Sequence, residues 1–290
     1  MVSSKPFQAP VRKTTHLLAG GTMLALLVAA VMVARTPSVA SKSNVHTAAQ
    51  TKAIVLIVKN PVVTVKKTAV PPAHKAAQGL LPVVNHEDIL PHHRILADQV
   101  LRSLPSSCRD NLKNFYVNYE KNPKNRGLGG ESTIIVAGNV PKLEFMALIV
   151  HECGHVVDLG ALRGTPDSGY TAFFDGNTPI YGNDPSVAFY SINWIASETK
   201  RPGTKDTHFI SGYAAADSFE NFAEAYTAFA LQNEAFKKLA TTNSVMKAQY
   251  DFMEHVVFAG SEPIASGQYI PGKKLPWDVT RLPFTLHAKQ

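Results

Sequence analysis

Five consecutive residues constrain this chain more than any others: His151, Glu152, Cys153, Gly154 and His155. They sit in an apolar run that includes Ala147, Leu148, Ile149, Val150, Val156 and Val157. The run predicts a helix that opens at Asn139 and Pro141, where proline suits the first turn, and ends near Leu159 before Gly160. In a helix, positions i and i+4 differ by about 40° in azimuth, so both imidazoles project from one face. Glu152 lies about 100° round, beside that face but off it. Two imidazole nitrogens about 2.0–2.1 Å from one ion suit zinc, and a carboxylate beside the ion can act as general base towards its water. At this content of histidine and glutamate, the HExxH pattern arises by chance in roughly one such chain in sixty. Two surface histidines on a helix are the bland alternative, and the apolar flanks weigh against it.

A catalytic zinc needs a third protein ligand. Residues 218–226 (SFENFAEAY) supply the best candidate. Phe219, Phe222, Ala223, Tyr226, Phe229 and Ala230 make one apolar stripe of a helix over residues 217–231. Glu220 borders that stripe and Glu224 is its i+4 neighbour. Like charges at that spacing repel on a plain surface, and a nearby cation would relieve them. Helix capping also explains Glu220, with Asp217 as N-cap and Glu220 at N3; the two roles are compatible. A rival ligand is Asp167, within Gly164-Thr165-Pro166-Asp167-Ser168-Gly169-Tyr170. That stretch is also ideal turn chemistry.

The combination HECGHVVD, SGY and FENFAEAY resembles the metallopeptidases of the anthrax lethal factor type, in the gluzincin group of zincins. The resemblance covers residues 151–231 and departs from the family run at Asn221. It implies a zincin-like fold with zinc on His151, His155 and Glu220, Glu152 as base, and Tyr213 as hydrogen-bond donor to the oxyanion. It further implies that Glu224 is an outer carboxylate; Asp158, three residues after His155, is expected to be another. The Asp167 stretch resembles the corresponding element of the aspzincins, except that Thr171 replaces its closing glycine. The activity implied is hydrolysis of a peptide or protein substrate. The alternative from another class is a non-catalytic cell-envelope module with a structural zinc; no fourth histidine or cysteine is apparent to close such a site.

Charge divides the chain. Residues 1–86 hold ten Lys and Arg and no Asp or Glu, and the remainder holds 19 basic against 22 acidic residues. The formal charge of +7 therefore belongs to the N-terminal segment. The folded part lacks the basic face of a nucleic-acid-binding domain, so no nucleic-acid partner is expected. Residues 1–16 read as a basic cytoplasmic N-terminus. Residues 17–34 are uncharged and apolar and reach about 27 Å as a helix, enough for a transmembrane anchor or a signal peptide. Residues 35–79 read as an extended basic linker that can attract anionic headgroups or envelope polymers. The domain of residues 80–290 is then expected outside the cytoplasm, anchored to the membrane or secreted after cleavage.

Within that domain, helical spacing covers residues 88–104, and residues 115–119 and 132–137 are strand-like, with a glycine turn at residues 127–130. A substrate is expected to pair with the edge of the strand at 132–137. Residues 161–185 read as loop, 186–197 as helix, 233–240 and 244–258 as two short helices, and 260–290 as irregular. Strands early and helices late predict an α+β fold, helix-rich with a small N-terminal sheet. Cys153 points away from the metal face and reads as a core residue, with a Cys108–Cys153 disulfide as the other option. His92 and His93 read as surface. Phe189, Tyr190 and Trp194 read as core.

Overall fold

The computed structural model describes residues 79–272 and 275–288. The expected N-terminal anchor and the linker up to residue 78 lie outside the described residues. Among the described residues no helix is long and apolar enough to cross a membrane.

The fold is mixed helix and sheet, as the order of elements predicts. Helices α1 (Pro91–Ser103) and α2 (Ser106–Asn111) lead into strands β1 (Asn114–Asn118), β2 (Gly127–Gly129) and β3 (Thr133–Ala137). These three form one sheet in the order β1-β3-β2, with β1 parallel and β2 antiparallel to β3. Two expectations change here. The glycines expected to form a turn are strand β2. And β3 is central, so its edges are already taken and the free edge nearest the site belongs to β2.

Helix α3 (Lys142–Val156) follows directly, and every residue from Phe145 to Val156 is buried. A helix apolar on all sides can only be a core helix. Its last turn widens into a π-type turn at Val157–Ala161. The stretch expected to be loop contains a hairpin, β4 (Tyr170–Asp175) with β5 (Thr178–Tyr181). Helix α4 (Ser186–Asn193) is shorter than expected, because Trp194 begins a two-stranded ribbon, β6 (Trp194–Ala196) and β7 (Thr199–Lys200). Phe189, Tyr190 and Trp194 are core residues, as expected.

Helix α5 (Ser218–Leu231) is the second core helix, buried from Asn221 to Leu231. Asp217 caps it, its Oδ1 accepting from the backbone N–H of Phe219 and Glu220. Helices α6 (Asn233–Thr242) and α7 (Ser244–Phe252) pack outside it, α7 ending in a π-type turn at Met253–Val257. The tail is more ordered than its prolines suggest, with β8 (Ala265–Gly267) pairing β9 (Phe284–Leu286).

Two local features tie α3 down. A disulfide joins Cys108 of α2 to Cys153, inside the HExxH motif, with Cα atoms 5.4 Å apart. Cys153 is both a fully buried core residue, as expected, and disulfide-bonded. With 45 residues between the cysteines, the chain-entropy model gives it about 4 kcal/mol of stabilisation. His93, expected at the surface, is buried. Its ring stacks on Phe145 at 4.3 Å and its Nδ1 lies 3.0 Å from the Tyr119 hydroxyl, while burial, with the neighbouring His92, lowers its pKa to about 4. His93, Ala97, Val100 and Leu101 form the buried face of α1, at i, i+4, i+7 and i+8 spacing.

Helices α3 and α5 cross where Gly154 meets Ala223. A Cβ on Gly154 would lie 2.9 Å from the Ala223 Cα and 3.2 Å from the Tyr226 Cβ. Helix propensity alone favours alanine over glycine by about 1 kcal/mol. Backbone cannot move aside as a side-chain end can, so overpacking wins. Gly154→Ala is expected to lower unfolding free energy by about 1–3 kcal/mol in urea denaturation. A neutral or stabilised variant would contradict this tight crossing.

Candidate metal centre

The crossing brings ionisable side chains of the two core helices together. Nε2 of His151 lies 3.1 Å from Glu220 Oε2, and Nε2 of His155 lies 3.6 Å from the same oxygen. One donor atom from each of His151, His155 and Glu220 falls within 4.8 Å of the others. Bonds of about 2.0–2.1 Å in a tetrahedron require ligand atoms about 3.3 Å apart, and the two distances bracket that value. The donor set and spacing therefore fit one zinc ion with an open fourth position.

The charge balance agrees. Burial alone would lower the pKa of His151, but hydrogen bonds to Glu220 and Glu224 outweigh it and hold it well above the usual imidazole range. At His155 burial is likewise outweighed, by the charge and hydrogen bonding of Glu220. Burial would raise Glu220, but the charges and hydrogen bonds of His155 and His151 hold it well below the usual carboxylate range. The pocket thus stabilises positive charge at its centre, and a divalent cation can take the place of the protons.

The surrounding contacts orient the side chains of the cluster. Glu224, fully buried, places Oε1 3.1 Å from His151 Nδ1. An Nδ1–H donated there leaves Nε2 free for an ion. The other oxygen of Glu224 accepts from Ser211 Oγ at 2.5 Å and from the backbone N–H of Val279 at 2.9 Å. Tyr213 donates its hydroxyl to Glu220 Oε1 at 2.8 Å, and its ring stacks on His151 at 6.0 Å between centroids. Burial first, and then Glu220, raise the phenol pKa, so the group stays a protonated donor at neutral pH.

Glu152 lies against strand β2. Gly127 and Gly129 face it: a Cβ on Gly127 would overlap Glu152 Oε1, and one on Gly129 would lie 2.7 Å from Oε2 and 2.8 Å from the His155 Cβ. At Gly127 only the Glu152 side chain would have to move, whereas at Gly129 the Glu152 backbone oxygen and the His155 Cβ also crowd the position, because the strand runs directly over the carboxylate. Burial raises the pKa of Glu152, and the charges of His151, His155 and Arg126 partly offset this.

Two sequence expectations are placed elsewhere. Asp158 does not touch a ligand imidazole: it accepts from the Tyr190 hydroxyl at 2.6 Å. The wide turn after Val156 takes it off the face that regular i+3 spacing predicts. Burial raises its pKa to about 7. Asp167 sits in an exposed 3-10 turn (Pro166–Ser168) and is not part of the cluster.

Sequence reasoning missed the tail. Arg126, just before β2, pairs with Glu144 of α3 at 2.5 Å and with buried Asp278. That anchors the segment whose Val279 N–H reaches Glu224. A backbone donor leaves no mark on a sequence; the one available signal was a lone Arg ahead of a glycine run.

If Glu220 completes the metal site, zinc affinity depends on it and not on Asp167. We expect Glu220→Ala to weaken zinc binding on the order of 10²-fold or more, and Asp167→Ala to leave it unchanged. Competition with a chromophoric chelator reads both. Zinc kept by the first variant and lost from the second would reverse the assignment.

Comparison with family models, with curated proteins and with solved structures finds no match to this chain.

Proposed function

We propose that this chain is a zinc-dependent peptide hydrolase, with one ion on His151, His155 and Glu220. The observation that carries this reading is the convergence of Glu220, from a separate helix, on the two HExxH imidazoles, with Glu152 beside them under a free strand edge. The resemblance of residues 151–231 to the lethal factor type supports it, and the small sheet over α3 with α5 behind it is the arrangement we assign to a zincin-like fold.

When bound, zinc would supply Lewis acidity that polarises a peptide carbonyl and lowers the pKa of water to about 7. Glu152 takes a proton from the attacking water and delivers it to the leaving amine. Its place beside the imidazole face, against Gly127 and Gly129 of β2, puts the carboxylate where that proton is exchanged. Tyr213, whose one hydroxyl hydrogen is donated to Glu220 in this structure, turns it to the carbonyl oxygen as negative charge develops there.

Strand β2 offers the place for the substrate backbone. Ala137 N donates to Arg126 O, and Gly130 N donates to Thr133 O. Bonding alternates along an antiparallel pair, so Leu128 also bonds inward and Gly127 and Gly129 turn their N–H and C=O outward. An extended peptide added at this edge lies across Glu152.

The alternatives have less support. A structural zinc requires a closed shell, and among the described residues no fourth His, Cys, Asp or Glu joins the cluster. An aspzincin-type site would need Asp167, which lies outside the cluster. The disulfide supports residence in an oxidising compartment, in keeping with an anchored or exported domain outside the cytoplasm. Envelope polymers remain candidate partners of the basic segment before residue 79 only.

Two variants test the mechanism in zinc-loaded protein with an unbiased peptide library read by mass spectrometry. Glu152→Gln should retain zinc and lose nearly all cleavage. Gly127→Ala should retain zinc and fold, because the carboxylate end can swing away, yet lose about 10²-fold in rate as the base is displaced. Wild-type cleavage by either variant would refute the role given to Glu152.

A further inference from the structure

The tail segment that reaches Glu224 also builds a second surface. Gly212 N donates to Pro276 O at 2.9 Å, and Tyr213 N donates to Trp277 O at 2.7 Å. This pairing lays the Trp277 ring over Gly212, where a Cβ would come within 2.6 Å of it. The ring centroid is 6.4 Å from that of Tyr213, whose hydroxyl touches Glu220. Beside it opens a groove of about 580 Å³, lined by Ile270, Leu275, Pro276 and Leu282 among others and, among the described residues, by no charged side chain. Trp277 is 61% exposed and Ile270 55%, large apolar surfaces left in water within one depression.

We propose that this groove is a specificity subsite that receives an apolar or aromatic side chain of the polypeptide held at the metal cluster. The proposal rests on the peptide-hydrolase reading. Continuity with the cluster selects the occupant: a chain passing over Tyr213 advances about 3.3 Å per residue, so the groove lies within one to three residues of the bond at the metal. Its volume accommodates one large side chain with room for the flanking backbone. An aromatic ring can stack on Trp277. A charged side chain would lose hydration there and find no partner among the described lining residues.

The test uses the full-length zinc-loaded Glu152→Gln protein and capped polyalanine hexapeptides that carry one Phe, or one Asp, at each position in turn. The chain has two tryptophans and Trp194 is buried, so a change in emission on binding reports Trp277. The best Phe peptide should bind at least about tenfold tighter than its Asp counterpart and shift emission to the blue. Trp277→Ala should reduce that preference to less than about threefold, and Ile270→Arg, which keeps the reporter, should turn it towards Asp. Equal affinity for the two peptides, no binding of either, or a preference unchanged in both variants would overturn the subsite. The wild-type protein, given the same peptides, separates the two claims. A Phe peptide that binds as described but is not cut leaves the groove standing and sinks the hydrolase reading. Cleavage without preference sinks the groove alone.

Discussion

Helices α3 and α5 approach so closely at Gly154 and Ala223 that no side chain separates them, and the arrangement of the site depends on that contact. His151 and His155 belong to one helix and Glu220 to the other. A wider crossing, of the kind a Cβ at residue 154 would force, would carry Glu220 Oε2 away from the imidazoles it now meets at 3.1 and 3.6 Å. The disulfide from Cys153 to α2 holds α3 from its opposite side, and Asp217 fixes the start of α5 through two backbone bonds. The chain thus spends a helix-weakening glycine inside its central helix to set one interhelical distance.

Buried ionisable groups are costly unless paired, and nearly every one in these two helices is paired with another in the site. Glu224 joins His151 to Ser211 and to the Val279 backbone. Arg126, Glu144 and Asp278 bind the start of β2, the start of α3 and the tail into one ionic cluster. The segment after α7 therefore closes the site from outside, although it carries no proposed ligand. The same segment presents Trp277 beside Tyr213, so support of the ligands and shaping of the approach to them are built from one stretch of chain.

How much of this was legible depends on how local each signal is. His151, His155 and Glu152 could be read because a continuous helix fixes their azimuths. Glu220 and Tyr213 were expected from apolar periodicity and a family resemblance, and the structure places Glu220 against the imidazoles and the Tyr213 hydroxyl against Glu220. Asp158 was misplaced because nothing in the sequence announces where a helix widens from α to π. Residues 127–130 read as a turn because glycine is a poor strand former; their real constraint is the approach to Glu152, a long-range contact. His93 was assigned to the surface because adjacent histidines cannot share a helix face, which does not prevent one of them from facing the core. Two cysteines allow only one pairing, but whether they pair depends on their distance in space. The tail's part in the site rests on a backbone N–H and on an ion pair whose partners are 152 residues apart in sequence, beyond any periodic reading.

The central claim is that one ion sits among two imidazoles of α3 and one carboxylate of α5, with a position left open. X-ray absorption at the zinc edge of the full-length protein tests this without reference to any substrate. The account predicts one zinc per chain, with a four-coordinate shell of nitrogen and oxygen at about 2.0–2.1 Å, multiple scattering from two imidazoles and no sulfur. A sulfur scatterer near 2.3 Å, a shell with more or fewer than two imidazoles, or a six-coordinate oxygen shell would contradict it.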